Sequence, residues 1–221
     1  MNQLTASEEN YLKQIYHLER ISQEPVGTND IASRMQTKAS SVTDMIQRLF
    51  DKSLINYEKY KGCELTELGK AEALKTIRKH RLWETFLVEK LNFGWDEVHE
   101  IAEQLEHIQS VKLTNKLDEF LNFPQFDPHG DPIPNQDGII SYREETVKLA
   151  ELQENVNAKV VGVSDSAAAF LKFLNKHQIE LGAEVKVIEK FEFDNSLEVM
   201  INNQKLNLSG TVSTRIKVQI M

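Results

Sequence analysis

Between Leu4 and Leu65 the hydrophobic pattern changes once from a helical period to an alternating one, and this single change leaves few folds open. Leu12, Ile15, Tyr16 and Leu18 form an apolar stripe at helical spacing over Leu4–Arg20, with Thr5 or Ser7 placed to cap it. Pro25 and Gly27 break the pattern. Thr28 is expected to cap a short helix carrying Ile31, Ala32 and Met35, and after Thr37 a third helix carries Val42, Met45, Ile46 and Leu49. Leu54–Tyr60 then alternates like a strand, Lys61 and Gly62 make a turn, and Cys63–Leu65 return. Two short helices joined by a tight turn, preceded by a helix and followed by a hairpin, predict a winged helix-turn-helix.

Further along, Thr66 is placed to cap a long helix reaching about Leu91, Asp96 another reaching about His107, and a third runs over Val111–Phe123. Their broad apolar faces have no sheet to cover, so they are expected to pack on one another and across a dimer interface. Phe123–Gly138, rich in Pro, Asp and Gly, reads as an ordered loop. Ser141–Asn157 reads as a partly helical linker. From Lys159 five short strands are expected, Lys159–Val163, Glu184–Lys190, Leu197–Ile201, Lys205–Leu208 and Arg215–Ile220, with one helix over Ser166–Lys176. That pattern fits a small SH3-like β-barrel. The fold class is thus mainly α with small β parts, divided into a winged helix (1–73), a helical dimerisation domain (74–142), a linker (143–157) and an SH3-like domain (158–221).

Charge restricts the partners. The net charge of −8 argues against nucleic acid, but its distribution does not. Residues 1–81 carry 13 Lys or Arg against 11 Asp or Glu, a balance of +2, and the remainder carries 13 against 23, a balance of −10. Lys38, Ser40, Ser41, Thr43 and Asp44, at the start of the third helix, are the expected readers of double-stranded DNA, although Ser40 and Ser41 could equally be helix caps. Lys59 and Lys61 at the wing tip are placed to reach the phosphate backbone. No apolar run suggests a membrane span, and Met1–Asn10 lacks signal-peptide character, so a cytoplasmic protein is expected.

A single cysteine, Cys63, leaves any metal to imidazole and carboxylate ligands, and Cys63 itself reads as a packed wing residue. Glu103, Glu106 and His107 stand at i, i+3 and i+4, with His99 one turn earlier on the same stripe. His80 and Glu84 repeat the i, i+4 arrangement on the preceding helix, so antiparallel packing could gather six ligating groups suited to manganese or iron. The same residues also fit the solvated face of an amphipathic helix, because Val98, Ile101, Ala102, Leu105 and Ile108 occupy the other side. Alanine at Glu106 or His107 is expected to leave fold and dimer intact while removing metal response. Glu-x-x-Glu-His is similar to the His-x-x-Glu-His of one metallopeptidase class, but the first His is missing and no nucleophile or phosphate loop accompanies it, so an enzyme is not expected. A winged-helix regulator that does not sense metal is the remaining alternative.

With RKHRLWETF, VHEIAEQLEHIQS and PHGDPIP beside the helix-turn-helix, the chain resembles the diphtheria-toxin-repressor and manganese-transport-regulator family over nearly its whole length, including the SH3-like domain of the longer members. The resemblance implies a homodimeric, metal-dependent repressor binding operator DNA, with Mn(II) or alternatively Fe(II) as corepressor. It implies a regulatory site joining Glu103, Glu106 and His107 to Asn10 of the first helix. Glu103 stands where iron regulators have Cys and manganese-type members have Glu. Lys13 replaces the second acid of the short manganese regulators, which puts a paired metal in doubt. It further implies an ancillary site of His80, Glu84 and His99, or a second site of Glu84, His129 and Asp165 with Asp127 in place of a Cys.

Overall fold

The computed structural model describes residues 3–221. Its helices and strands run in the order α1 (Ala6–Ser22), α2 (Thr28–Arg34), α3 (Ala39–Asp51), β1 (Ile55–Glu58), β2 (Gly62–Leu65), α4 (Glu67–Leu91), α5 (Val98–Leu105) and α6 (Val111–Phe120). There follow β3 (Thr146–Lys148), a 3₁₀ turn (Leu149–Glu151), β4 (Asn157–Val163), α7 (Ala168–Lys176), β5 (Glu184–Phe191), β6 (Ser196–Ile201), β7 (Gln204–Leu208), α8 (Gly210–Ser213) and β8 (Ile216–Ile220). The chain divides into two compact units: one takes in the chain up to residue 80 with 103–115 and 134–139, the other 81–102, 116–133 and 140–221. Among the described residues no helix is long and apolar enough to cross a membrane.

In the first unit Thr5 caps α1 as expected, in a reciprocal box: the Glu8 backbone N–H donates to Thr5 Oγ1 and the Thr5 N–H to the Glu8 carboxylate. Thr66 lies directly before α4 and accepts from the Gly69 N–H, as expected of its cap. Gly27, not Thr28, caps α2, and Lys38 caps α3, neither with a side-chain bond. Leu12, Ile15, Ile31, Val42, Ile46 and Leu49 from the three helices close on Leu54, Ile55 and Leu65 of the hairpin. Each such buried aliphatic side chain contributes about 1.5–3 kcal/mol, so the unit is held by its helix-turn-helix core. The hairpin registers Ile55 on Leu65 and Glu58 on Gly62, leaving Lys59, Tyr60 and Lys61 as the tip.

Cys63 exchanges both backbone hydrogen bonds with Val26 and is 1% exposed. Burial, reinforced by the charge of Glu19, pushes its thiol up to about 12. The thiolate is the reacting form, so Ellman's reagent is expected to leave the native chain unmodified and to titrate one thiol in denaturant. Prompt labelling of the native protein would contradict this packing.

In the second unit Leu82 packs with Leu117, Leu121 and Ile133, flanked by Trp83 and Phe86. The sheet has the order β3-β8-β4-β5-β6-β7, antiparallel throughout. Five strands were expected and a sixth, β3, is present in the segment read as a partly helical linker, which also carries the 3₁₀ turn. Thr146–Lys148 pairs with Lys217–Gln219, and Leu149 and Leu152 are buried among the apolar residues of the sheet and α7. Leu149 and Leu152 give the segment a hydrophobic anchor that a linker would lack.

Candidate metal centre and nucleic-acid interface

α5 ends at Leu105, two residues earlier than expected, so Glu106 and His107 lie just beyond it. Glu106 is fully buried. Its carboxylate accepts from Lys13 Nζ on α1 at 2.6 and 2.8 Å, and His80 Nδ1 on α4 faces it at 2.6 Å. Lys13 Nζ also donates to Glu103 Oε1 at 2.5 Å, and His80 Nδ1 is 3.9 Å from the same oxygen. His80 thus lies within reach of both Glu103 and Glu106.

His107 Nδ1 lies 2.5 Å from Glu9 Oε2 of α1, while its Nε2 faces Glu106 Oε1 at 3.7 Å. A carboxylate accepts only, so the ring donates from Nδ1 to Glu9 and turns Nε2 toward Glu106. Glu9 is itself held by Lys79 Nζ at 3.2 Å and Gln109 Nε2 at 3.0 Å. A carboxylate orienting an imidazole whose other nitrogen is presented inward is the usual support of a metal-ligating histidine. Sequence reasoning passed over Glu9; its place on the Asn10–Lys13 side of α1 was the available signal.

Asn10 Oδ1 is buried and has no hydrogen-bond partner among the described residues. Buried carbonyl oxygens are nearly always satisfied, and one left unpaired on α1, one helical turn before Lys13, fits a cation ligand. The donors present are oxygen and imidazole nitrogen; the one cysteine is in the wing.

A second group forms in the other unit. Ligand atoms of Glu84, Asp127 and His129 lie within 4.8 Å of one another, all three residues buried. His129 Nε2 donates to the Trp95 carbonyl at 2.8 Å, under a stacked Trp95 ring, and Nδ1 faces Glu84 Oε2 at 3.5 Å. Glu84 also meets His99 Nδ1 at 3.3 Å. Burial, with the negative charges of Glu84 and Asp131, raises Asp127 to about 7 despite Arg81 and His129. Burial works against charge on His129, but the Glu84 hydrogen bond and the charges of Glu84 and Asp127 outweigh it and carry the imidazole to about 9. Three buried acid-base groups perturbing one another in this way mark a cation-seeking cluster. Asp127 Oδ1 accepts from the backbone N–H of His129 and Asp131, which fixes the loop.

Asp165 is a correction. Its carboxylate pairs with Arg215 Nε at 3.2 Å and accepts from the Ala167 N–H, outside the Glu84–Asp127–His129 group. Asp165 was assigned through resemblance alone, and the arginine that takes its charge lies fifty residues away in sequence.

On the winged helix, Lys38, Ser40, Ser41, Thr43 and Asp44 are all exposed at the start of α3. With Lys38 as the cap, Ser40 and Ser41 are not consumed as caps. Gln47, unnoticed in the sequence, shares the exposed face of Ser40, Thr43 and Asp44 at helical spacing. At the wing tip Tyr60 is 92% exposed, with Lys59 Nζ 5.1 Å from its ring centre, and Lys61 pairs with Glu58 at 2.8 Å.

Three family models match: the iron dependent repressor N-terminal DNA binding domain at residues 3–63, its metal binding and dimerisation domain at 66–135, and the FeoA domain at 147–220. The iron-dependent repressor IdeR of Mycobacterium tuberculosis is 37% identical over 134 residues, a match covering 61% of this chain and 58% of that protein. The diphtheria toxin repressor of Corynebacterium jeikeium is 29% identical over 198 residues, 86% of this chain and 81% of that one. The solved structure of a manganese-dependent transcriptional repressor in complex with manganese superimposes with a TM-score of 0.87 at 33% identity, covering 97% of this chain and 100% of that one. With all three domain models in order along the chain and a full-length structural relative at that identity, the chain belongs to the iron-dependent repressor family, the diphtheria-toxin-repressor type of metal-dependent transcriptional regulators.

Proposed function

We propose that this chain is a metal-dependent repressor of metal-ion homeostasis genes, acting as a cytoplasmic homodimer on operator DNA with Mn(II) as its corepressor. The observation that carries the reading is that Glu103 and Glu106 meet at Lys13 of α1, with His107 Nε2 3.7 Å from Glu106, one helical turn from an Asn10 carbonyl that is buried without a hydrogen-bond partner among the described residues. A bound divalent ion supplies two positive charges and a bridge between these groups. Asn10 presents a neutral oxygen, Glu103 and Glu106 anionic oxygens, and His107 its Nε2, with Glu9 holding the ring in that tautomer. α1 packs on the helix-turn-helix through Leu12 and Ile15, so a constraint at Asn10 is passed to the placement of α3. An arrangement of α3 that both the site and the operator favour gives the coupling reciprocity requires. Lys38, Ser40, Ser41, Thr43, Asp44 and Gln47 would then read the major groove while Lys59, Tyr60 and Lys61 meet the backbone.

Hard oxygens and imidazole without thiolate favour manganese; the same donors accept Fe(II), which is the second reading because iron-dependent repressors are among the relatives. Glu84, Asp127 and His129 would form a further site, supported by His99.

His107→Ala is the test. The ring is partly exposed, so the fold should persist. Even outer partners of metal ligands are worth roughly 10–100-fold in affinity, so loss of the ring should weaken Mn(II) binding at this site by at least about 100-fold and abolish manganese-dependent gel shifts. A variant that binds manganese and operator like the parent removes the assignment.

A further inference from the structure

Lys13 is an unusual residue to find inside a group of acids meant for a divalent ion. Its side chain is 5% exposed, and its ammonium donates to Glu103 Oε1 at 2.5 Å and to both Glu106 oxygens at 2.6 and 2.8 Å. These are charge-assisted bonds of short length. The groups facing it are accounted for: Glu9 is bonded to Lys79 and His107, and His80 leans on Glu106 from the opposite helix. Lys13 is thus the cation that balances Glu103 and Glu106 when no other is supplied, and it spans from α1 to the end of α5.

The same carboxylate oxygens are needed by an ion that is to join Glu103 and Glu106 to Asn10. Asn10 lies one helical turn before Lys13 on α1. A divalent ion and an ammonium cannot share these oxygens at bonding distance without strong repulsion in so buried a place. We infer that Lys13 is a tethered counter-ion that sets the metal threshold of this site: its ammonium holds Glu103 and Glu106 in the metal-free chain, and metal binds by displacing it from at least one of them. The inference rests on the reading of this site as the corepressor site.

Three consequences follow from exchange of one cation for another. The lysine weakens metal affinity, because each ion bound must replace existing ion pairs. It keeps Glu103 and Glu106 from repelling one another apart when metal is scarce. And it opposes a second ion beside the first.

The experiment is isothermal titration of Mn(II) into chelator-stripped full-length protein: parent, Lys13→Gln and Lys13→Arg. A charge in direct contact commonly shifts an ionic equilibrium by about 10- to 1000-fold, so Lys13→Gln should bind Mn(II) at least about tenfold more tightly, and Lys13→Arg should stay within about threefold of the parent. Lys13→Gln binding no more tightly than the parent, or Lys13→Arg matching Lys13→Gln, overturns the inference.

Because Lys13→Gln leaves buried Glu106 and half-buried Glu103 without this cation, it could fail to fold in chelator; the parent itself supplies a second measurement. The ¹⁵N-labelled Lys13 ammonium should give a slowly exchanging signal in chelator, which shifts or disappears with one equivalent of diamagnetic Zn(II) per chain. The signal standing unchanged in metal-saturated parent protein refutes displacement. Failure of the corepressor reading looks different: the parent would then bind no Mn(II) that His107→Ala fails to bind.

Discussion

Glu106→Ala is expected to destabilise the metal-free protein by about 3–5 kcal/mol and to abolish its metal response as well. The sequence-based expectation that alanine here spares the fold is overturned by the environment of this side chain. Glu106 is fully buried, accepts two bonds from the Lys13 ammonium and one contact from His80, and lies beside a second acid that Lys13 also serves. Removing one partner of a buried ion pair strands the other charge without solvent, and that stranded charge, more than the lost attraction, sets the cost. Urea unfolding in chelator measures it; a midpoint equal to the parent's would show that Lys13 finds water or another acid. Glu106→Gln keeps the shape and one acceptor oxygen and should lose less. His107→Ala strands nothing comparable, so the two substitutions should separate stability from metal response.

The second large effect is expected at Gly130. Its φ is +83°, and a Cβ there would stand 2.1 Å from the Val161 carbonyl oxygen and 2.5 Å from Gly162 Cα, both backbone atoms of β4. The approach is functional in its consequence: the His129 carbonyl accepts from the Val163 N–H at 2.9 Å where β4 bulges between Val160 and Gly162, so the loop holding Asp127 and His129 is seated on that strand. Gly130→Ala adds left-handed strain of about 1–2 kcal/mol to overpacking of about 1–3 kcal/mol. At roughly 2–4 °C per kcal/mol for a chain of this size, the melting temperature should fall by on the order of 10 °C. Gly182→Ala is the control. Its φ is +91° with nothing within 4 Å of the added carbon, so it should suffer the strain alone. Equal effects from the two would show that packing of the loop on β4 contributes nothing. The Glu84–Asp127–His129 group should also lose any metal it holds in Gly130→Ala, because two of its three members ride on that loop.

These two cases differ in how far they could be anticipated. Gly130 lies in PHGDPIP, a stretch whose composition announces a turn, and only the neighbour it turns against was hidden. Glu106 was expected to be a ligand from its spacing to Glu103 and His107, but its pairing with Lys13, ninety-three residues away, left no trace in any local pattern.

The same division runs through the chain. The three helices and hairpin of the winged helix were legible because periodicity and caps act over one or two turns, and Thr5 with Glu8 completes its cap within four residues. Caps at Gly27 in place of Thr28, and at Lys38 in place of Ser40 or Ser41, reflect how weakly a cap is specified when no side chain makes its bond. β3 was missed because a three-residue strand carries too little alternation to be seen until β8 offers it an edge. Glu103, Glu106 and His107 were suggested as one group by helical spacing, although Glu106 and His107 lie just beyond the end of α5. That His107 is turned by Glu9, that His80 joins Glu106, that Asp127 and His129 come to Glu84 and that Asp165 goes to Arg215 was decided by tertiary packing. Each of those pairings joins segments far apart in sequence, and a charged side chain accepts whichever opposite charge the folded backbone brings within reach, which no local rule can encode.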